Sequence, residues 1–455
     1  MRITALILIM LMSSCAPTAH DSSSDNIHNS DRDSLKAMPK SDYYNNFRNT
    51  RAVLEESGVP EYTLPELLKC LDGSTVRTVE QWETKRRPEI KKLFEEYVYG
   101  KAPGKPENMS FKVTSVDENA LGGKAIRKEI TVNLLGIEDG PFLDILVYLP
   151  PGIKKPVPIF FALNFGGNHS ICDDKGISLC RSFIPEPFGG DKNNRASEES
   201  RGFRKQKWQI EEVLRRGYGL ATAYCGDIDP DKVDYSDGIQ SHYYKLVQSK
   251  PDINEWGTIA AWAWGLSRGM DYFEADGDID QEKVIVVGHS RLGKTALYAG
   301  ASDERFAIVI SNNSGCGGAA LSRRAFGETV GKITHTFPHW FCDNFSNYHL
   351  NEENLPVDQH MLIAMVAPRP VYVASAVEDL HADPHGEFLS AKHAQVVYEL
   401  YGYDQSLLKS WPPPLNKPII GRVGYHLRSG KHDITAYDWD VYIKFADQHL
   451  KESNE

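Results

Sequence analysis

Residues 283–297, Lys-Val-Ile-Val-Val-Gly-His-Ser-Arg-Leu-Gly-Lys-Thr-Ala-Leu, constrain this chain more than any other stretch. Val284 to Val287 form an apolar, β-branched run, the composition of a buried strand. The run breaks at Gly288-His289-Ser290, and a helix-forming segment follows from Leu292 to Gly300. A strand, a sharp turn at a serine and then a helix is the geometry of a nucleophile elbow. The serine then stands clear of the sheet edge, and the next backbone N–H groups lie at a helix N-terminus, which favours developing negative charge. The pattern departs from G-x-S-x-G, because the second glycine is Gly293 and Leu292 takes its usual place. The same residues would also serve as a glycine-punctuated β–α turn with a capping serine. Arg291 and Lys294 fall in the first helical turn, where the macrodipole disfavours cations. Both are therefore expected to serve a ligand: Arg291 as a donor to an oxyanion, Lys294 to a substrate hydroxyl.

The rest of the chain supplies strands and helices in alternation. Strands are expected over 111–116, 125–135, 143–149, 157–163, 219–224, 306–311 and 371–376, with a last one around 424–427. Helices are expected over 87–97, 210–216, 256–270, 386–401 and at the C-terminus. This order predicts an α/β fold, a doubly wound, mostly parallel sheet between helical layers, with ligands at the carboxyl ends of the strands. Residues 170–207 and about 315–356 are irregular and look like insertions at that edge. The glycine turn Phe165-Gly166-Gly167-Asn168-His169 is either a tight loop or a second source of an oxyanion N–H.

The first residues read as an export signal: Met1-Arg2, an apolar run from Ile3 to Met12, then Ser13-Ser14-Cys15. Cys15 is placed as a lipidated cysteine, with ordinary signal-peptidase cleavage near Ser14 as the alternative. Residues 1–15 are thus a lipoprotein-type signal, 16–41 a polar disordered tether, 42–110 an N-terminal layer and 111–455 the catalytic domain. Such a chain is expected in the periplasm or outer membrane of a Gram-negative bacterium, touching membrane only through its lipid, and as a monomer. The net charge of −11 argues against nucleic acid as a partner. The cysteines after Cys15 show no C-x-x-C spacing; most are expected as buried free thiols, and neither metal nor cofactor is implied.

Gly288-His289-Ser290-Arg291-Leu292-Gly293-Lys294 is similar to the G-x-S-R-x-G-K signature of carbohydrate esterase family 15, the glucuronoyl esterases. The similarity runs from about Tyr62 to the C-terminus. It takes in Arg86-Arg87-Pro88-Glu89-Ile90, the Phe165 glycine turn, Leu355-Pro356-Val357-Asp358-Gln359-His360 and Ala367-Pro368-Arg369-Pro370. The resemblance implies an α/β-hydrolase that cleaves esters of glucuronate or 4-O-methyl-glucuronate branches of xylan, including esters to lignin. It further implies that Lys294 and Glu328 bind sugar hydroxyls, and that His381 stands where the family often has a tryptophan. Trp340, with His339, either lines the cleft or belongs to the core. A xylan deacetylase and a non-catalytic glycan-binding lipoprotein are the competing readings.

In α/β-hydrolases the chain order is serine, acid, histidine. Ten histidines follow Ser290, and His432 fits best, in the glycine loop Ser429-Gly430-Lys431-His432-Asp433 before the last helix. His426 and His449 are expected to be structural. For the acid, Glu378, Asp379 and Asp383 all follow the strand 371–376. Asp379 is favoured, because its spacing from Ser290 and His432 matches the resembling family; Glu378 should point away, and Asp383-Pro384 looks like a helix cap. Many members of that family place a glutamate after the preceding strand, where this chain has Asn313.

Overall fold

A computed structural model describes residues 52–138, 140–234, 236–244, 252–404 and 408–451. Cys15, the signal and tether assigned to 1–41, and the start of the N-terminal layer at 42–51 lie outside the described residues. Nine strands form one sheet in the order β1-β2-β3-β5-β4-β6-β7-β8-β9. The strands are β1 (Ser110–Asn119), β2 (Ala125–Asn133), β3 (Phe142–Leu149), β4 (Val157–Asn164), β5 (Gly219–Tyr224), β6 (Ile279–His289), β7 (Ile308–Asn312), β8 (Val371–Ala376) and β9 (Val423–Arg428). β1, β2 and β3 pair antiparallel and β3 joins β5 antiparallel; every pairing from β5 through β4 to β9 is parallel.

The principal helices are α1 (Arg87–Tyr97), α2 (Ile210–Arg215), α3 (Thr258–Phe273), α4 (Arg291–Ser302), α5 (Val330–Thr336), α6 (Pro384–Leu400) and α7 (Ala436–Lys451). The period-2 alternation of strand side chains divides the core in two. Val284 and Val286 of β6 pack with α3, α4 and α6 on one face, and Ile285 and Val287 pack with α2 and α7 on the other. This is the expected α/β-hydrolase sandwich. β1 runs beyond its expected end at 116 because pairing with β2 continues to Asp117↔Arg127, although Val113 and Val116 are exposed there. The helix expected from 256 begins at Thr258, after Gly257, whose N–H is taken by Tyr99 O.

The supporting motifs serve the scaffold. Arg87 Nε donates to Met365 O at 2.9 Å and Arg86 Nε to Leu67 O at 2.9 Å, tying α1 to its surroundings. Buried Asp358 accepts from Ser322 N at 2.8 Å and pairs with Arg323, fastening the second insertion to a short helix, Gln359–Ala364. Arg369 donates to the carbonyls of Gly300, Asp303 and Phe306. The first insertion has only short 3-10 turns, and the second contains α5 and a second short helix, Asp343–Ser346. The described cysteines are all free thiols. Among the described residues no helix is long and apolar enough to cross a membrane.

Candidate active site

The elbow is built as β6 passes into α4. Ser290 has φ 60° and ψ −130°, a conformation that costs a non-glycine residue about 1–3 kcal/mol. Neighbouring backbone holds it: Ser290 N–H donates to Asn312 O at 2.9 Å, and Gly293 and Lys294 N–H donate to Ser290 O at 2.8 and 3.1 Å. A Cβ at Gly288 would stand 1.9 Å from Leu292 O, and one at Gly293 would stand 2.9 Å from Asn312 O. The second glycine is therefore needed at 293, while Leu292 is buried in the core. That accounts for the departure from G-x-S-x-G.

Ser290, the turn after β8 and the loop after β9 meet at the carboxyl edge of the sheet. His432 Nε2 lies 2.8 Å from Ser290 Oγ, and His432 Nδ1 lies 2.6 Å from Asp379 Oδ2. Two backbone bonds join the acid turn to the histidine loop: Val377 N–H to Arg428 O at 2.9 Å and Glu378 N–H to Gly430 O at 3.1 Å. The Glu378 side chain is exposed. Asp383 accepts from Gly386 N at 2.9 Å and from Arg324 Nε at 2.8 Å, so it caps α6. Asn313 is buried at φ 45°, with neither amide atom hydrogen-bonded. Of the candidate carboxylates, only Asp379 bonds to His432.

Sequence reasoning missed the supports of this arrangement. Arg428 donates to the carbonyls of Ser429, Lys431 and Asp433 while its Nε meets Asp438 at 3.0 Å, so one guanidinium shapes the whole histidine loop. His426 Nε2 bonds Asp438 at 2.9 Å, and His449 bonds Gly421 O at 3.0 Å; both are structural, as expected. His289 packs 4.7 Å from the His432 ring and bonds Asn312 Oδ1 through Nδ1 at 2.6 Å. Burial, reinforced by the charge of His432, pushes its pKa down to about 3.

The cations of α4 have partners within the protein. Arg291 pairs with Asp231 in the loop after β5, and its guanidinium stands 4.9 Å from the Trp340 ring centroid. Asp231 also bonds His339 Nε2 at 2.8 Å and Trp340 Nε1 at 2.7 Å. Burial works to raise its pKa, but the His339 bond and the Arg291 charge prevail and hold it at about 2. Asp231 gave no motif signal; its place in the segment beyond the carboxyl end of β5 was the available clue. Lys294 is buried, donates to Ser314 O at 2.5 Å and lies 3.5 Å from Glu328 Oε2. Burial works to raise the Glu328 pKa, yet Lys294 and His381 keep it lowered. Half-exposed His381 bonds Glu328 Oε1 through Nε2 at 3.1 Å. Trp340 is 4% exposed and stacks on Phe337 at 3.7 Å, so it is both core and the wall beside Arg291. The Phe165 turn ends in a 3-10 turn in which His169 bonds Ser200 Oγ at 2.8 Å.

Strand order, elbow and the Ser290–His432–Asp379 chain together define a hydrolase of the α/β class with the geometry of a serine esterase. A model of the fungal glucuronyl esterase family matches residues 221–402. A carbohydrate esterase, MZ0003, from an unknown prokaryotic organism is 55% identical over 398 residues, which is 87% of this chain and 91% of the relative. A solved structure described as a promiscuous family 15 esterase from a marine bacterial metagenome is 54% identical, with a TM-score of 0.82, across 88% of this chain and all of the other. A glucuronoyl esterase from Solibacter usitatus is 45% identical with a TM-score of 0.81, across 86% of this chain and 99% of its own. The chain belongs to carbohydrate esterase family 15. It is a carboxylic ester hydrolase.

Proposed function

We propose that the enzyme hydrolyses esters of 4-O-methyl-glucuronate or glucuronate branches of glucuronoxylan, including those that join xylan to lignin. The observation that carries this reading is the buried Lys294–Glu328 pair one helical turn from Ser290. A fixed ammonium and a carboxylate side by side offer a donor and an acceptor to neighbouring sugar hydroxyls, which an acetyl ester would not use. His432 takes the Ser290 proton, and Ser290 Oγ attacks the C6 carbonyl. The Arg291 N–H at the start of α4 and its guanidinium stabilise the oxyanion. His432 returns the proton to the leaving alcohol, and water activated by the same imidazole releases the uronate. Asp379 keeps the imidazole in the productive tautomer and balances its charge.

The amino-terminal pattern supports a second part of the reading. A lipid on Cys15 and the polar stretch to residue 41 tether a monomeric enzyme in the periplasm or at the outer membrane. Globomycin treatment and acyl labelling of the expressed chain and a Cys15→Ala variant test this; an unlabelled, freely released wild type would refute it. For the substrate, hydrolysis of benzyl glucuronate is measured beside release of acetate from acetylated xylan. The reading expects kcat/KM to favour the glucuronate ester, with Lys294→Ala raising KM for it and hardly touching the acetate reaction. Preference for acetate would make the chain a deacetylase instead.

A further inference from the structure

A cavity of about 310 Å³ opens beside Ser290, and Lys294, Glu328 and Trp340 are not among the residues that line it. Ser290, His432 and His289 line it together with the aromatic rings of Phe165, Phe188, Trp208 and Trp439. Trp439 and Ile434 of its lining belong to the core packed with α7. An ester has two parts, and the carbonyl must sit at Ser290. With the uronate on the Lys294 side, the cavity is left for the alcohol, next to the imidazole that reprotonates it.

Arg204, from the first insertion, gives the cavity its chemistry. Its guanidinium stands 5.2 Å from the Phe188 ring centroid and 5.9 Å from that of Phe165. Its backbone N–H donates to Ser170 O at 2.8 Å, while its Nε is buried without a hydrogen-bond partner. The nearby carboxylates are occupied: Asp433 by Lys207 at 2.5 Å, Asp231 by Arg291, His339 and Trp340. Burial and the charge of Arg291 press the Arg204 pKa down, Asp433 works the other way, and the lowering prevails; the guanidinium therefore has room for a direct anionic partner. A guanidinium over an aromatic wall is suited to bidentate pairing with a planar carboxylate.

We propose that this cavity seats the leaving alcohol and selects an aryl alcohol bearing a carboxylate, which Arg204 reads. The inference rests on the serine-esterase reading above. It is tested with the full chain on two esters that share the glucuronate and differ in the alcohol, benzyl and 4-carboxybenzyl. Wild type should prefer the carboxybenzyl ester by ~10-fold or more in kcat/KM, the size of a charge-assisted pair. High salt should shrink that preference, and Arg204→Gln should bring the ratio near one. An equal ratio in wild type and variant, or an equal loss on both esters, overturns the proposal. If the variant does not fold, product inhibition of the wild type decides: 4-carboxybenzyl alcohol should inhibit more strongly than benzyl alcohol, and equal inhibition overturns the proposal. Failure of the wild type to cleave either ester would sink the esterase reading itself, a different outcome from turnover that ignores the carboxylate.

Discussion

At the scale of single residues, the acid is the sharpest case. Asp379 and Asp383 are four positions apart, both buried, yet one meets His432 at 2.6 Å and the other caps α6 against Arg324. Asp379→Asn should lower kcat by ~10²-fold or more, since an amide neither fixes the tautomer nor balances the imidazolium. Asp383→Asn should act mainly on stability. Steady-state kinetics beside thermal melts separate the two, and the reverse pattern would move the acid. Asp231 holds the Arg291 guanidinium from behind, so Asp231→Asn should lower kcat by ~10-fold or more through misplacement of that donor. Arg291→Ala should cost ~10²–10³ in kcat, and both should leave KM much less changed. A rise confined to KM would mean that Arg291 grips substrate in the ground state. Ser290, His432 and Asp379 were legible because chain order and strand ends restrict them. Asp231 was not, since its pair with Arg291 joins segments distant in sequence, and Arg428 was not, since it acts mainly on loop carbonyls that leave no residue pattern.

Among the elements, the β6–α4 elbow is set by backbone proximity more than by side chains. The apolar run and the helix-forming segment announced it, but the missing glycine at 292 made it look irregular. Contact between Gly293 and Asn312 O resolves this, and no one-dimensional pattern could, because β7 lies beyond α4 in the chain. Gly293→Ala should destabilise the protein by about 1–3 kcal/mol through overpacking and displace Ser290. Urea unfolding checks this; an unchanged midpoint would show that the neighbouring strand yields at no cost. The central parallel strands were readable because burial on both faces demands continuous apolar runs. The insertions were not, since their order comes from side chains such as Asp358 clamping backbone from elsewhere.

Across the whole molecule, buried Glu387 links the turn after β7 to β8. On α6, its carboxylate accepts from Ser314 N at 2.7 Å and Gly315 N at 2.9 Å, and Ser375 Oγ donates to it at 2.6 Å. Burial pushes its pKa up to about 8, against those bonds and helped by the charge of Asp379. A carboxyl raised from 4.5 when folded contributes its stability in full below that value and loses it as pH rises through about 8. Wild type should therefore lose this contribution between pH 4.5 and 8, and Glu387→Gln should not. Melting curves of both proteins across that range test it, and parallel pH profiles would refute it. The central claim, that Ser290 primed by His432 carries glucuronate ester hydrolysis, is tested most directly by stoichiometric phosphonofluoridate labelling, followed by peptide mapping and residual benzyl glucuronate turnover. One adduct is expected, on Ser290, with turnover falling in proportion, no adduct in Ser290→Ala and slow labelling in His432→Ala. Full labelling of Ser290 with turnover intact, or an inactivating adduct on another residue, would contradict it.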